Sequence, residues 1–166
     1  VQAGADDTTT LADLARLTRR ANRQADLSDA LGQLAAAATR EGKLDVAKEA
    51  LGERYDVDEQ LGNLAGAIEA ARLVLGLDNR DAGARVSLER LFNRAERWPE
   101  LIELLGWLAQ EAPTPEEQAG ILARLVYVQL ERSRDFSGAL RSLELLAQAS
   151  PSSESITALG TRALLL

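Results

Sequence analysis

Four segments of the chain share one arrangement of apolar positions, at i, i+1, i+4, i+7 and i+8. They are Ala30, Leu31, Leu34, Ala37, Ala38; then Ala67, Ile68, Ala71, Val74, Leu75; then Leu101, Ile102, Leu105, Leu108, Ala109; then Ala139, Leu140, Leu143, Leu146, Ala147. That spacing is one stripe along an α-helix, so each segment is expected to be a helix with a single buried face. The anchors Ala30, Ala67, Leu101 and Ala139 stand 37, 34 and 38 residues apart. The excess of 3 or 4 residues in the longer steps is about one helical turn, which lengthens a helix without rotating its buried face. Summed in pairs, the steps are 71 and 72 residues, as a duplicated unit of two unequal helix pairs would give.

Partner helices fill the intervals, and the pattern predicts about nine helices: 10–25, 28–41, 44–61, 64–77, 81–95, 98–112, 115–133, 136–149 and 152–166. Thr114-Pro115-Glu116-Glu117 carries a helix start: a threonine cap, proline at the first helical position and a glutamate three residues after the cap. Ser28, Asn63, Asp81 and Asp135 are further expected N-caps, and Gly42 and Gly62 fall where a left-handed residue ends a helix. No alternation of apolar and polar residues marks a strand. The division expected is a flexible tail at 1–9, four helix pairs at about 10–42, 43–79, 80–113 and 114–151, and an unpaired C-terminal helix at 152–166.

Composition narrows the chemistry. The 166 residues contain no cysteine and no histidine, so zinc sites of the usual ligand types, thiol nucleophiles and Ser-His or Cys-His relays are excluded. No metal or cofactor is expected. A net charge of -7 argues against nucleic acid and anionic lipid as partners. No run of 18 apolar residues exists, so membrane insertion is not expected. Seventeen arginines against two lysines, with abundant alanine, lead us to expect a bacterial source with a GC-rich genome. Lack of cysteine fits a cytoplasmic location and is equally allowed in a periplasm. The start at Val1 without methionine and the apolar stop at residues 163–166 lead to the expectation of a piece of a longer chain or a processed product.

Leu51-Gly52-Glu53-Arg54-Tyr55, Gly62-Asn63, Ala67-Ile68-Glu69-Ala70-Ala71 and Leu75-Gly76-Leu77-Asp78-Asn79 together resemble a tetratricopeptide repeat. That motif has L-G-x-x-Y on its first helix, a glycine turn and a small residue opening its second helix. The third unit, with Leu88, Phe92 and Arg97-Trp98-Pro99-Glu100-Leu101, resembles a divergent repeat in which leucine replaces the small residue. In the fourth, Asp135-Phe136-Ser137-Gly138-Ala139-Leu140 and Pro151 match the turn and closing proline, while Leu159-Gly160 resembles the opening of a fifth. The resemblance implies an all-α, right-handed α-solenoid of antiparallel helix pairs, with the first helices lining a concave groove for a peptide or protein partner.

Function is therefore sought in binding. With 26 acidic residues, a carboxylate pair of the kind glycoside hydrolysis needs is guaranteed somewhere, and solvated helix faces account for such pairs. Arginines collect in the first helices, at 16, 19, 20, 23, 85, 90, 94, 124 and 132, while many acids fall in second helices and linkers. Arg19, Arg23, Arg90, Asn93, Arg94 and Arg124 are expected to point into the groove and to bind an acidic protein or peptide, because the planar guanidinium holds carboxylates bidentately. The function expected is a non-catalytic protein-interaction scaffold. A structural or oligomerisation spacer, or a regulatory domain of a larger protein, is the alternative. Ile156, Leu159, Ala163, Leu164 and Leu166 make the C-terminal helix an expected site of self-association unless further chain covers it. Trp98, Tyr127 and Phe136 are expected to pack in the core.

Overall fold

A computed structural model describes residues 7–149. Eight α-helices follow one another: α1 (Asp7–Arg20), α2 (Gln24–Arg40), α3 (Leu44–Gln60), α4 (Leu64–Leu77), α5 (Ala82–Arg94), α6 (Trp98–Glu111), α7 (Pro115–Val128) and α8 (Phe136–Ala149). One π-helical turn, Gln129–Ser133, extends α7, and the described residues contain no strand. None of these helices is long and apolar enough to cross a membrane. The expected helix at 152–166, the self-association assigned to it and most of the expected N-terminal tail lie outside the described residues. Residues 7–9 are the first turn of α1 instead of tail. Thr8 ties that turn down by donating a hydrogen bond to Glu41, beside the turn between α2 and α3.

The first three turns are copies of one device. Asn22, Gly42 and Gly62 each take a left-handed backbone, with φ of 55°, 73° and 76°. Around each, two backbone amides close back on the ending helix: Asn22 N–H to Arg19 O with Arg23 N–H to Thr18 O, and the same pair at 42/43 and 62/63. These are Schellman closures, which satisfy carbonyls that the helix end leaves open. The residue that completes each closure, Arg23, Lys43 or Asn63, is already the N-cap of the next helix. Connections are thus as short as the motif allows, and consecutive helices must run antiparallel. Because Asn22 turns the chain, α2 starts at Gln24. Ser28, expected as its cap, lies inside the helix and is buried. Asn63, Asp81, Thr114 and Asp135 do cap, accepting from the amides of Gly66, Ala84, Glu117 and Gly138.

The described residues form two compact units that divide after Ala95, between the two helices of the expected third pair. In the first, α1–α5, the apolar stripes of α2 and α4 meet α3 through small side chains. Ala30, Ala37 and Ala38 on α2, Ala47 and Ala50 on α3, and Ala67, Ala70 and Ala71 on α4 are all essentially buried. Alanine at these positions lets neighbouring backbones approach closely, and Leu27, Leu31, Leu51 and Val74 fill the space between. In the second unit, α6–α8, Val126, Leu130 and Ala139 pack with Leu143. The stripe of α8 is only partly covered there: Leu146 is buried, while Leu140 and Ala147 are exposed. Tyr127 and Phe136 are also exposed, at 43% and 42%, contrary to the expected core positions. Trp98 is half-buried, with the Arg132 guanidinium over its ring.

One polar cluster interrupts the first core. Asp58 is 1% exposed in the last turn of α3, where the helix dipole disfavours a carboxylate. It is compensated by Ser28 Oγ, which donates to it at 2.7 Å, by Asn63 Nδ2 at 3.2 Å and by the Arg54 guanidinium at 3.5 Å. Three consecutive helices are thereby joined at one carboxylate.

Candidate binding surface

The expected site residues fall into different environments. Arg19, on α1, grips Glu53 of α3 with two parallel hydrogen bonds, Nε to Oε1 at 2.7 Å and Nη2 to Oε2. Its fork is therefore occupied by an internal carboxylate, and hydrogen bonding to Glu53 raises the arginine pKa further. Arg23 lies in the turn between α1 and α2 and pairs with Asp26 three residues on. Arg124 is exposed on α7, in the second unit.

Arg90, Asn93 and Arg94 are brought together, since positions one turn apart on α5 share a face. Arg90 and Arg94 would repel one another in isolation. Both donate through Nη1 to the same oxygen, Oε1 of Glu59 on α3. Glu59 is 11% exposed, whereas the two arginine side chains are 46% and 50% exposed. One largely buried carboxylate thus holds two guanidiniums side by side, and Asn93 is exposed beside them. Burial pushes the Glu59 carboxyl up, but the hydrogen bonds from Arg90 and Arg94, with their charges, outweigh it and hold its pKa below the ordinary value. Asp56, one turn earlier, is shifted the other way: burial and the charge of Glu59 raise it, against the opposing charge of Arg90.

The carboxylates on α3 were the signal missed in the sequence. Asp45, Glu49, Glu53, Asp56 and Glu59 recur at helical spacing along a first helix, so acids are not confined to second helices and linkers. Their stripe lies between the arginines of α1 and those of α5. A cleft of about 380 Å³ opens between α1 and α3, with Arg16, Arg19, Glu49 and Glu53 in its walls. On the other side of α3, the Lys48 ammonium sits 2.7 Å from both Asp78 and Asp81; those hydrogen bonds raise its pKa and lower those of the two aspartates. Among the described residues, no group of three or more acidic side chains is placed to hold a metal ion.

No protein-family model and no curated protein matches the sequence. Solved structures do. The chain is similar to MamA, residues 41 to the end, from Desulfovibrio magneticus RS-1, at 15% identity and a TM-score of 0.51, covering 98% of this chain and 87% of that one. It is similar to the MamA RS-1 ArsTM double mutant at 13% identity and a TM-score of 0.51, covering 98% and 96%. A tetratricopeptide repeat protein from Parabacteroides merdae ATCC 43184 matches at 16% identity and a TM-score of 0.34, covering 98% and 86%. Identities this low speak to fold alone. Together with the all-helical architecture, the two MamA matches show that the chain has a tetratricopeptide-like α-solenoid fold.

Proposed function

We propose that this chain is a non-catalytic protein-interaction scaffold, built on four helix pairs, and that the first-helix face of its first unit receives an acidic segment of a partner. One observation carries the reading. Arg90 and Arg94 share a single oxygen of Glu59, so two guanidiniums, each about half exposed, keep most of their donors for a second carboxylate. Asn93 adds a neutral hydrogen-bonding group on the same face. Holding like charges adjacent before a ligand arrives lowers the cost of organising the site, which favours binding over an open surface. Arg19 has a different task, because its fork already grips Glu53: it joins α1 to α3. Arg23 and Arg124 stand outside the Arg90/Arg94 pair, and any part they play in binding is secondary.

The test is an NMR titration of the whole chain with a short glutamate-rich peptide, following the arginine Nε–H signals. Those of Arg90 and Arg94 should shift together and saturate, and that of Arg19 should stay in place. Shifts at Arg19 equal to those at Arg90, or none at Arg90 and Arg94, would count against the assignment.

A further inference from the structure

The second helices of the first unit flank a cleft of about 280 Å³ between α2 and α4, floored by Leu51 and Arg54 of α3 and lying away from the Arg90/Arg94–Glu59 cluster. Its α2 wall consists of small residues, Gly32, Ala35 and Ala36, and its α4 wall of Leu73 and Leu77, one helical turn apart. The space exists because α2 offers no large side chain there, and Leu73 is left 47% exposed. Arg54 is the one charged residue in the lining, and it is already answered by Asp58 at 3.5 Å and Glu69 at 3.6 Å. The hydroxyl of Thr39 donates to the Ala35 carbonyl.

These features select the shape of an occupant. An extended peptide laid in this cleft would bury amides and carbonyls against apolar walls that return few hydrogen bonds. A helix satisfies its backbone internally, and its side chains can settle between two parallel helices as ridges into a groove. The turns described above make α2 and α4 parallel, so the cleft has a direction. Asp29 and Glu69 are exposed toward the N-terminal ends of their helices. Arg40 stands at the C-terminal end of α2, 71% exposed and 3.9 Å from Asp7. A helix with acids in its first turn and bases in its last complements this polarity only when it runs antiparallel to α2.

We propose that this cleft is a second docking surface, taking one face of an amphipathic helix from a partner protein. The helix runs antiparallel to α2 and α4, with leucine-sized side chains beside Ala36 and Leu73. Its acidic first turn lies at Arg40 and its basic last turn near Asp29 and Glu69. The surface is independent of the Arg90/Arg94 reading.

The probe is a fluorescein-labelled amphipathic peptide of about four helical turns, with leucines on one face, glutamates in its first turn and lysines in its last. Its control exchanges the charged ends. Titrated against the whole chain by fluorescence anisotropy, the first peptide should bind about tenfold or more tighter than the second. Leu73→Asp and Ala36→Gln, both at exposed positions and each checked for folding by circular dichroism, should weaken binding by a similar factor, and Arg90→Ala with Arg94→Ala should leave it unchanged. Absence of binding, equal affinity for the two peptides, or indifference to both cleft variants would overturn the proposal. So would loss of binding in the arginine variant, which would place the peptide on the first helices. If sedimentation velocity shows a dimer that Ala36→Gln converts to monomer, the occupant is a second copy of the chain and the proposal fails.

Discussion

The Asp58 carboxylate lies so near Gly66 that a Cβ on Gly66 would come within 2.6 Å of Oδ2. The second unit repeats the relationship, with Gly138 pressed against the cap Asp135 and against Gln129, whose Nε2 would be 2.8 Å from an added Cβ. In both places a carbon added to the third residue of a helix meets the helix's own cap and a buried polar side chain that precedes it, and these would have to shift. Gly66→Ala and Gly138→Ala should therefore each destabilise by about 1–3 kcal/mol, as overpacking does. Gly52→Ala, inside α3 with nothing within 4 Å of the added carbon, should stabilise by roughly 0.5–1 kcal/mol. Urea unfolding of the three variants measures the contrast in sign.

Removing Asp58 tests the polar cluster directly. Asp58→Ala takes the acceptor from the buried Ser28 Oγ and from Asn63 Nδ2, and leaves the Arg54 guanidinium with Glu69 alone. Because Arg54 is 21% exposed and its charge can turn toward water, the loss should fall at or just below the ~3–5 kcal/mol of a fully buried broken pair, at about 2–3 kcal/mol. Asp58→Asn keeps an oxygen for Ser28 and should cost less. Equilibrium unfolding midpoints of the two variants check the order.

The shifts at Glu59 and Asp56 have opposite signs and so opposite effects on stability against pH. Glu59 titrates below its ordinary 4.5, so the stability it contributes is fully present above that pH and is lost as pH falls through the folded value. Asp56 titrates above its ordinary 3.8, so its ionised form costs stability, and that cost is relieved as pH falls through its raised value. Carboxyl carbon NMR should find Glu59 low and Asp56 high. In Arg90→Ala, Glu59 should move up toward its ordinary value, and Asp56 should rise further because the charge that holds it down is gone.

The helices were legible because burial imposes a period. Three of the four apolar stripes are buried almost throughout, and the glycine turns at 42 and 62 are placed where the sequence put them. Three further residues take a left-handed backbone, Asn22, Glu96 and Arg134, and of these only asparagine is a type that favours it. A non-glycine residue takes that backbone when the closure around it requires it, and neither Glu nor Arg announces this locally. Ser28 shows the same limit of local sequence. A serine before an apolar run looks like a cap, yet its hydroxyl donates to Asp58, thirty residues away. At the surface, spacing placed Arg90 and Arg94 on one face correctly. What they face, Glu59, is 31 and 35 residues distant on another helix, and single-helix periodicity contains no information about that pairing.

The most direct test of the account is the dissociation constant of an acidic partner segment for the native chain and for the folded double variant Arg90→Ala with Arg94→Ala, at low and high salt. If both guanidiniums donate charged hydrogen bonds in the interface, the double variant should lose about 1–3 kcal/mol, roughly 5- to 150-fold in affinity. Binding to the native chain should weaken as salt rises, because half-exposed charge pairs are screened. An unchanged dissociation constant in the double variant, or native binding indifferent to salt, would contradict the account.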